Sequence, residues 1–515
     1  MNILEQFFPN FSYTQIMMPI FNMDNFIIPF LIVVLFIGIL VVLYEKDETE
    51  IKFLSFFFSS ITFFLSLFIW YNFNKNYGFQ FEGIIPWLPQ YNINIVYGID
   101  GISLYFLLLS TFLIPICILS AFDAINKNIK GFYLCFLVLE IFLIISFSVL
   151  DLFFFYLAFE AILIPMFLLI GIWGSRNRKI FASYYFFFYT LAGSLLMLLA
   201  IMYIFFSKGT TDLLALINYT EFNAFEQKIL FLGFFMSFAS KIPLFPFHIW
   251  LPEAHVEAPT AGSVLLAGVL LKLGSYGYLR FCCTLFPYAN YYYKEIIAML
   301  ALIGIVNTSL TAIRQTDMKR VVAYASVAHM NLIMLGVFFF SIEGVEGAIL
   351  QMISHGLVSS GLFLCIGVLY DRFHSKVIEY YGGVAAIMPN FVLAFGILIF
   401  ANIAFPGTSS FVGELLILAG IFLNNSIVAL IGGLGVILGG TYSLYLFNRA
   451  AFGNFKSTYL HLYEDLTLIE ASILFILVFL VILVGVFPSI LLEDLHKSIY
   501  ELEIIYNLGM IRAMV

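Results

Sequence analysis

Charge is what this sequence has least of. Of its 515 residues only 10% are Asp, Glu, Lys or Arg, against about 25% in soluble domains, which excludes a string of water-soluble domains. Cysteine is also scarce. Cys117, Cys135, Cys282, Cys283 and Cys365 form no CxxC or zinc spacing. Most of them fall in apolar runs, where they read as inert packing, and the adjacent Cys282–Cys283 pair alone suggests redox reactivity. The seven histidines do not supply two pairs of facing axial ligands for a membrane haem. No Walker loop and no GxGxxG after a strand is present. Metal and cofactor sites are therefore not expected here, and any electron transfer must take place in other chains. The net charge of −8 is spread over loops, so nucleic acid is not an expected partner. Residues 1–24 lack a basic stretch and carry Glu5 and Asp24, which argues against a cleavable targeting segment.

What the chain has instead is apolar length. Hydrophobic residues make up 63%, and runs of spanning length fall near 25–44, 52–72, 101–122, 131–149, 150–173, 180–207, 228–248, 260–280, 295–313, 321–340, 347–370, 388–422, 425–448 and 467–487. At ~20 residues per crossing this predicts an all-α polytopic membrane protein of about fourteen transmembrane helices. The division between 131–149 and 150–173 rests on Asp151 alone. Phe (62) and Tyr (30) are abundant and Arg is rare, the bias of an AT-rich genome, which suits a mitochondrially encoded chain of the inner membrane. A bacterial plasma membrane or a thylakoid is the alternative.

Loop charges test the span count. With fourteen spans, one side holds Lys46, Lys52, Lys127, Lys130, Arg176, Arg178, Lys179, Arg314, Lys319, Arg320, Arg372, Lys376, Arg449 and Lys456. The side of the termini holds only Lys75, Lys208, Lys228, Arg280, Lys294, Lys497 and Arg512. The positive-inside rule then predicts both termini outside.

The two remaining basic residues lie inside spans, around a break. The stretch Ser237–Gly274 carries Lys241, then Pro243, Pro246 and Pro252, a polar segment from His255 to Thr260, and Lys272 in the next apolar run. A lysine at the centre of a spanning helix costs about 2.5–3.5 kcal/mol on insertion scales and usually marks function. A broken helix at membrane depth persists only where its freed backbone groups meet protein or water. Together these features predict a buried polar site or ion path. A second break, Pro406-Gly407, follows five spans later, and five is odd, so two five-helix units would lie in opposite orientations. Interrupted helices in matching places of inverted halves point to a transport site. Intramembrane Glu140, Glu160, His329, His355 and Glu414 are further candidates, and His248 and His255 flank the first break. A satisfied core histidine is the competing reading for His355, and a lysine reaching to the interface the competing one for Lys272.

The segment Trp250-Leu251-Pro252-Glu253-Ala254-His255-Val256-Glu257-Ala258-Pro259-Thr260, followed by Ala267-Gly268-Val269-Leu270-Leu271-Lys272-Leu273-Gly274, resembles the chain 4 family of respiratory complex I, the proton-pumping NADH:quinone oxidoreductase. The resemblance is strong over about residues 95–450. Chains 2 and 5 and the Mrp-type sodium/proton antiporter subunits share the pattern more loosely. The resemblance implies a proton-translocating, antiporter-like subunit of the membrane arm, coupled to quinone reduction elsewhere. It implies FMN, iron–sulfur clusters and ubiquinone in partner subunits, and neighbours that include chains 2 and 5, accessory subunits and lipid. It implies N-terminal helices over 1–130, a first repeat over 131–280, an inverted second repeat over 281–450, and a last span and tail over 451–515. It implies that Glu160 pairs with Lys241, that Lys272 is a central relay, and that Glu414, after the second break, is the terminal proton site where sister chains usually have lysine. His329 ends a family motif from Lys319, in which Ala325 stands where serine is more usual. His248 and His255 would line the matrix-side entrance, and Glu140 is secondary. At a separation of ~7 Å and an effective dielectric of ~20, a Glu160–Lys241 pair would attract by about 2.4 kcal/mol. That is enough to change whether a buried lysine keeps its proton. An Mrp-type antiporter subunit and a non-pumping scaffold are the rival readings.

Overall fold

The computed structural model describes residues 23–514 apart from 89, 91–92, 220–221, 457–458 and 460–463. Residues 1–22, on which the expectation about a targeting segment mainly rests, lie outside the described residues. Twelve described helices are long and apolar enough to cross a membrane. They are α1 Ile27–Tyr44, α2 Glu48–Asn72, α3 Gly101–Ser120, α4 Ile129–Ser148, α5 Leu152–Trp173, α6 Lys179–Lys208, α10 Thr260–Leu285, α11 Pro287–Ile313, α12 Met318–Phe339, α13 Ile342–Phe373, α16 Ser426–Ala451 and α17 Leu468–Val486. Between these lie the short α7 Leu213–Tyr219, α8 Ala224–Lys241, α9 Trp250–Glu257, α14 Pro389–Asn402 and α15 Ser409–Asn424, and α18 Ser489–Met514 closes the chain.

Local chemistry sets the boundaries. Asp151 accepts from the backbone N–H groups of Phe153 and Phe154, so it caps α5 and separates it from α4. Pro243 and Pro246 stop α8 at Lys241, before the expected end at 248, because neither proline can donate to a continuing helix. The long run at 388–422 is divided: α14 ends at Asn402 and α15 starts at Ser409, with Gly407 at φ 93 between them. That left-handed turn is one glycine adopts at no steric cost. Helix α10 runs to Leu285, past the expected 280, and Arg280, read as a loop charge, lies buried inside it. Its guanidinium is 2.5 Å from the equally buried Asp100, and the partner makes burial of the charge tolerable.

Two elements depart from the expected fold. The all-α reading is corrected by an antiparallel hairpin, β1 Gln80–Leu88 with β2 Ile93–Ile99, paired from Gln80↔Ile99 to Leu88↔Ile93. Ile93, Ile95, Tyr97 and Ile99 alternate with period two, a pattern that helix-length hydropathy windows average away. The tail is the second. Helix α18 carries too many charges to span and instead straps the helix ends: Ser498 accepts from the Gly101 N–H at 2.9 Å, and Tyr105 donates to Asp494 at 2.6 Å.

Burial divides the bundle into centre and rim. The apolar windows of α10 and α13 are 100% buried and that of α12 is 94%, whereas α1 and α2 bury 28%. The rim helices turn Phe30, Phe36, Phe57 and Phe64 outward, as lipid or a neighbouring apolar subunit requires. The central helices can carry polar groups because protein surrounds them.

Candidate functional site

The centre of the bundle holds a row of ionisable side chains. It begins on α10, which is not a regular α-helix. A π-helical turn at Leu266–Leu270 widens it and ends two residues before Lys272, a local irregularity that frequently accompanies function. The Lys272 ammonium is fully buried. It donates to the Ala267 carbonyl within that turn and lies 2.8 Å from Nδ1 of His355 on α13. The His355 ring centre is 5.6 Å from that of His329 on α12. Nδ1 of His329 is 3.0 Å from Oε1 of Glu414 on α15. Nε2 of each histidine has no hydrogen-bond partner. A neutral imidazole with one free nitrogen can accept a proton on one side and give one up on the other.

Glu414 is placed by the second helix break. It lies in the second turn of α15, after the Gly407 turn, and the Gln351 amide donates to its Oε1 at 3.1 Å. That reach depends on Gly413: a Cβ there would meet the Gln351 side chain at 2.7 Å and push α15 from α13. Gln351 was not among the residues picked out from sequence. A glutamine in an apolar span one turn before His355 was the available signal.

Lys241 and Glu160 form a second group. Lys241, at the end of α8 and 4% exposed, donates to the Phe159 carbonyl at 2.6 Å and sits 3.1 Å from the centre of the Phe159 ring. Glu160 is the next residue along α5 and leaves Oε1 unpartnered. The helix is loosened there: Ile162 forms a turn within α5, and Pro165 offers no N–H to the Ala161 carbonyl. Lys241 thus bonds the backbone beside Glu160.

The remaining candidates occupy different places. His255 is fully buried, stacked on the Phe363 ring at 4.6 Å with 3° between planes, and neither ring nitrogen has a partner. His248 is half-buried within the first break, stacked on Phe245 at 5.5 Å. Glu140 lies on α4, outside the row, 2.5 Å from the Thr62 hydroxyl of α2. Two lysines counted as loop charges are buried too. Lys319 donates to the Ala258 carbonyl and to Ser263, both at 2.9 Å, and Lys376 donates to Ser175 at 2.8 Å and to the Val256 carbonyl at 2.6 Å. Burial pushes the Lys376 ammonium down to about 8, against the opposing pull of Asp317. These lysines hold the C-terminal end of α9 against α12 and the segment after α13, and no apolar run announces them. All five cysteines are free and buried, Cys282 and Cys283 fully so. Among the described residues no group of three or more His, Cys, Asp or Glu could hold a metal ion.

Comparison with known proteins gives consistent results. The profile of the NADH:quinone oxidoreductase/Mrp antiporter transmembrane family matches residues 149–439. The chain is 53% identical over 445 residues to NADH-ubiquinone oxidoreductase chain 4 of Marchantia polymorpha, covering 86% of this chain and 90% of that one. It is 52% identical over 445 residues to that of Arabidopsis thaliana, with the same coverage. Among solved structures it resembles a chain of respiratory complex I from Thermus thermophilus with bound NADH, at TM-score 0.85 and 28% identity over 93% of this chain and 99% of that one. It shares its fold with a chain of an archaeal membrane-bound sulfane sulfur reductase, at TM-score 0.80 and 21% identity over 89% and 76% of the two chains.

Proposed function

Because this chain belongs to the NADH-ubiquinone oxidoreductase chain 4 family, we propose that it is a proton-translocating, antiporter-like subunit of the membrane arm of respiratory complex I. It carries no redox centre of its own in this reading. Quinone reduction in partner subunits, which hold the FMN, iron–sulfur clusters and ubiquinone, drives it. The observation that carries the reading is the row Lys272–His355–His329–Glu414, with contacts of 2.8 Å and 3.0 Å at its two ends. Protons enter from the matrix side, load Lys241 and Lys272, pass along His355 and His329, and leave outside from Glu414. Glu160 sets the charge beside Lys241 and so switches it between holding and releasing a proton. His248 and His255 belong to the entrance. Chains 2 and 5 and accessory subunits are the neighbours, and the mitochondrial inner membrane is the site.

In this reading the chain crosses the membrane fourteen times, the two broken pairs α8–α9 and α14–α15 each counting as one crossing. Spans four to eight and nine to thirteen form the inverted halves, and both termini lie outside. The unequal loop charge and the odd spacing of the breaks support this. Tags at either end, probed in mitoplasts, are expected to be accessible, and a matrix-facing terminus would overturn the span count.

The functional test is NADH-driven proton uptake into vesicles carrying the assembled complex with Lys272→Ala. Loss of uptake is expected. Undiminished uptake would mean that the row does not conduct.

A further inference from the structure

The N-terminal helices hold a polar column that the central row does not use. Helix α2 is mostly exposed, yet the face it buries is polar: Ser55, Ser59, Thr62 and Ser66 are all fully buried. Their spacing of four, three and four residues places them on one stripe, with Cβ atoms about 5–6 Å apart. Each hydroxyl donates to a carbonyl one turn back in its own helix, so each turns acceptor lone pairs toward the neighbouring helices. Hydroxyls of this kind alone would be ordinary helix packing.

Glu140 changes that reading. It sits near the middle of α4, fully buried, with Oε1 2.5 Å from the Thr62 hydroxyl and Oε2 without any partner. Thr62 has a single O–H, and its oxygen also lies 2.7 Å from the Ser59 carbonyl. The hydroxyl hydrogen is shared between the Ser59 carbonyl and Oε1 of Glu140. A fully buried carboxyl with one oxygen bonded to a column of hydroxyls and the other without a partner is placed to take up and pass on a proton.

The column continues in both directions. One turn on, the Ser66 hydroxyl is 2.8 Å from that of Thr111 on α3. At the far end of the same two helices, the Trp70 N–H and the Tyr105 hydroxyl both donate to Oδ2 of buried Asp494 on α18, at 3.1 and 2.6 Å. On the near side, the Tyr133 hydroxyl is buried without a partner, seven residues before Glu140 and so on the same face of α4.

From this geometry we propose that Glu140 is the central proton carrier of a second, hydroxyl-lined path through α2, α3 and α4, from the Tyr133 and Ser55 end to Asp494. The carboxylate gains one proton from the near side and passes one to the far side. Each hydroxyl on the way takes up one proton as it gives up its own, with water bridging the gaps between turns. The proposal rests on the reading of the chain as a proton translocator.

The test uses the whole assembled complex in vesicles, with Glu140→Gln, Thr62→Val, Thr62→Ser and, as reference, Glu414→Gln. Glutamine keeps the shape and the hydrogen bond to Thr62 but cannot release a proton. The rate of NADH-driven proton uptake is expected to fall about 10²-fold in Glu140→Gln, the scale on which loss of a positioned proton-transfer group acts, and to fall in Thr62→Val but not in Thr62→Ser. Infrared difference spectra on NADH addition should contain a carboxylic C=O band that shifts in D2O and is missing from Glu140→Gln. Full uptake in Glu140→Gln alongside loss in Glu414→Gln would overturn this path and leave the functional reading standing. Full uptake in both would overturn the functional reading itself. If Glu140→Gln does not assemble, the Thr62 pair decides, and equal uptake by the valine and serine variants would overturn the path.

Discussion

Nδ1 of His329 on α12 lies 3.0 Å from Oε1 of Glu414 on α15, the helix that follows the second break. At that distance an imidazole N–H can donate one ordinary hydrogen bond to a carboxylate oxygen. The other ring nitrogen of His329 is left to exchange with His355. His329→Gln can still donate to Glu414 but cannot carry a proton. We expect it to assemble normally and to lose proton uptake in vesicles by about 10²-fold. Uptake at the wild-type rate would remove the imidazole from the path.

Lys241→Ala and Glu160→Ala are expected to lower proton pumping and quinone reductase activity together. Ion movement and electron flow are coupled in the proposed reading, so a block in one stalls the other. The two rates, measured on the same vesicles, check this. Full electron transfer without pumping would refute the coupling.

The hairpin predicts a pH effect outside the spans. Burial, with a smaller push from the Asp212 carboxylate, raises Glu82 on β1 to about 7. The folded form therefore holds a proton that the unfolded chain, with an ordinary carboxyl near 4.5, releases. Stability from this group is full below pH 4.5 and is lost as pH rises through 7. Glu82→Gln should raise the thermal midpoint of the detergent-solubilised complex at pH 8 and leave it unchanged at pH 4. An equal shift at both values would contradict the assignment.

Arg280→Ala leaves Asp100 buried and unpaired, which should cost about 3–5 kcal/mol and reduce the assembled complex on native gels. The double variant Arg280→Met with Asp100→Asn removes both charges and should recover most of the assembly. A double variant as poor as the single one would show that the pair does more than neutralise itself.

Several features were legible from single residues. Asp151 marked the boundary between α4 and α5, and Pro243, Pro246 and Gly407 marked the interruptions, because these residues act on the backbone next to them. Lys272, His355, His329 and Glu414 stood out as polar groups in apolar runs. That the four form one row was not legible, since it depends on how α10, α12, α13 and α15 pack and on Gly413 letting Gln351 approach. Lys319, Lys376 and Arg280 looked like loop charges because they lie near helix ends. Their burial comes from partners far away in sequence, such as Ala258, Val256 and Asp100. The hairpin and the α18 strap were missed because neither is a long apolar run, the only pattern a span count registers.

The most direct measurement is proton translocation per electron pair in vesicles containing the assembled complex with substitutions at Glu414. Glu414→Gln removes the group that releases the proton in the proposed reading, so pumping should be lost. Glu414→Lys restores a titratable group and should keep partial activity. Glu414→Asp, one methylene shorter, should fall between wild type and loss, since proton transfer needs a reach of about 2.6–3.2 Å or one bridging water. Full pumping by an assembled Glu414→Gln complex would contradict the assignment of Glu414 as the site of proton release.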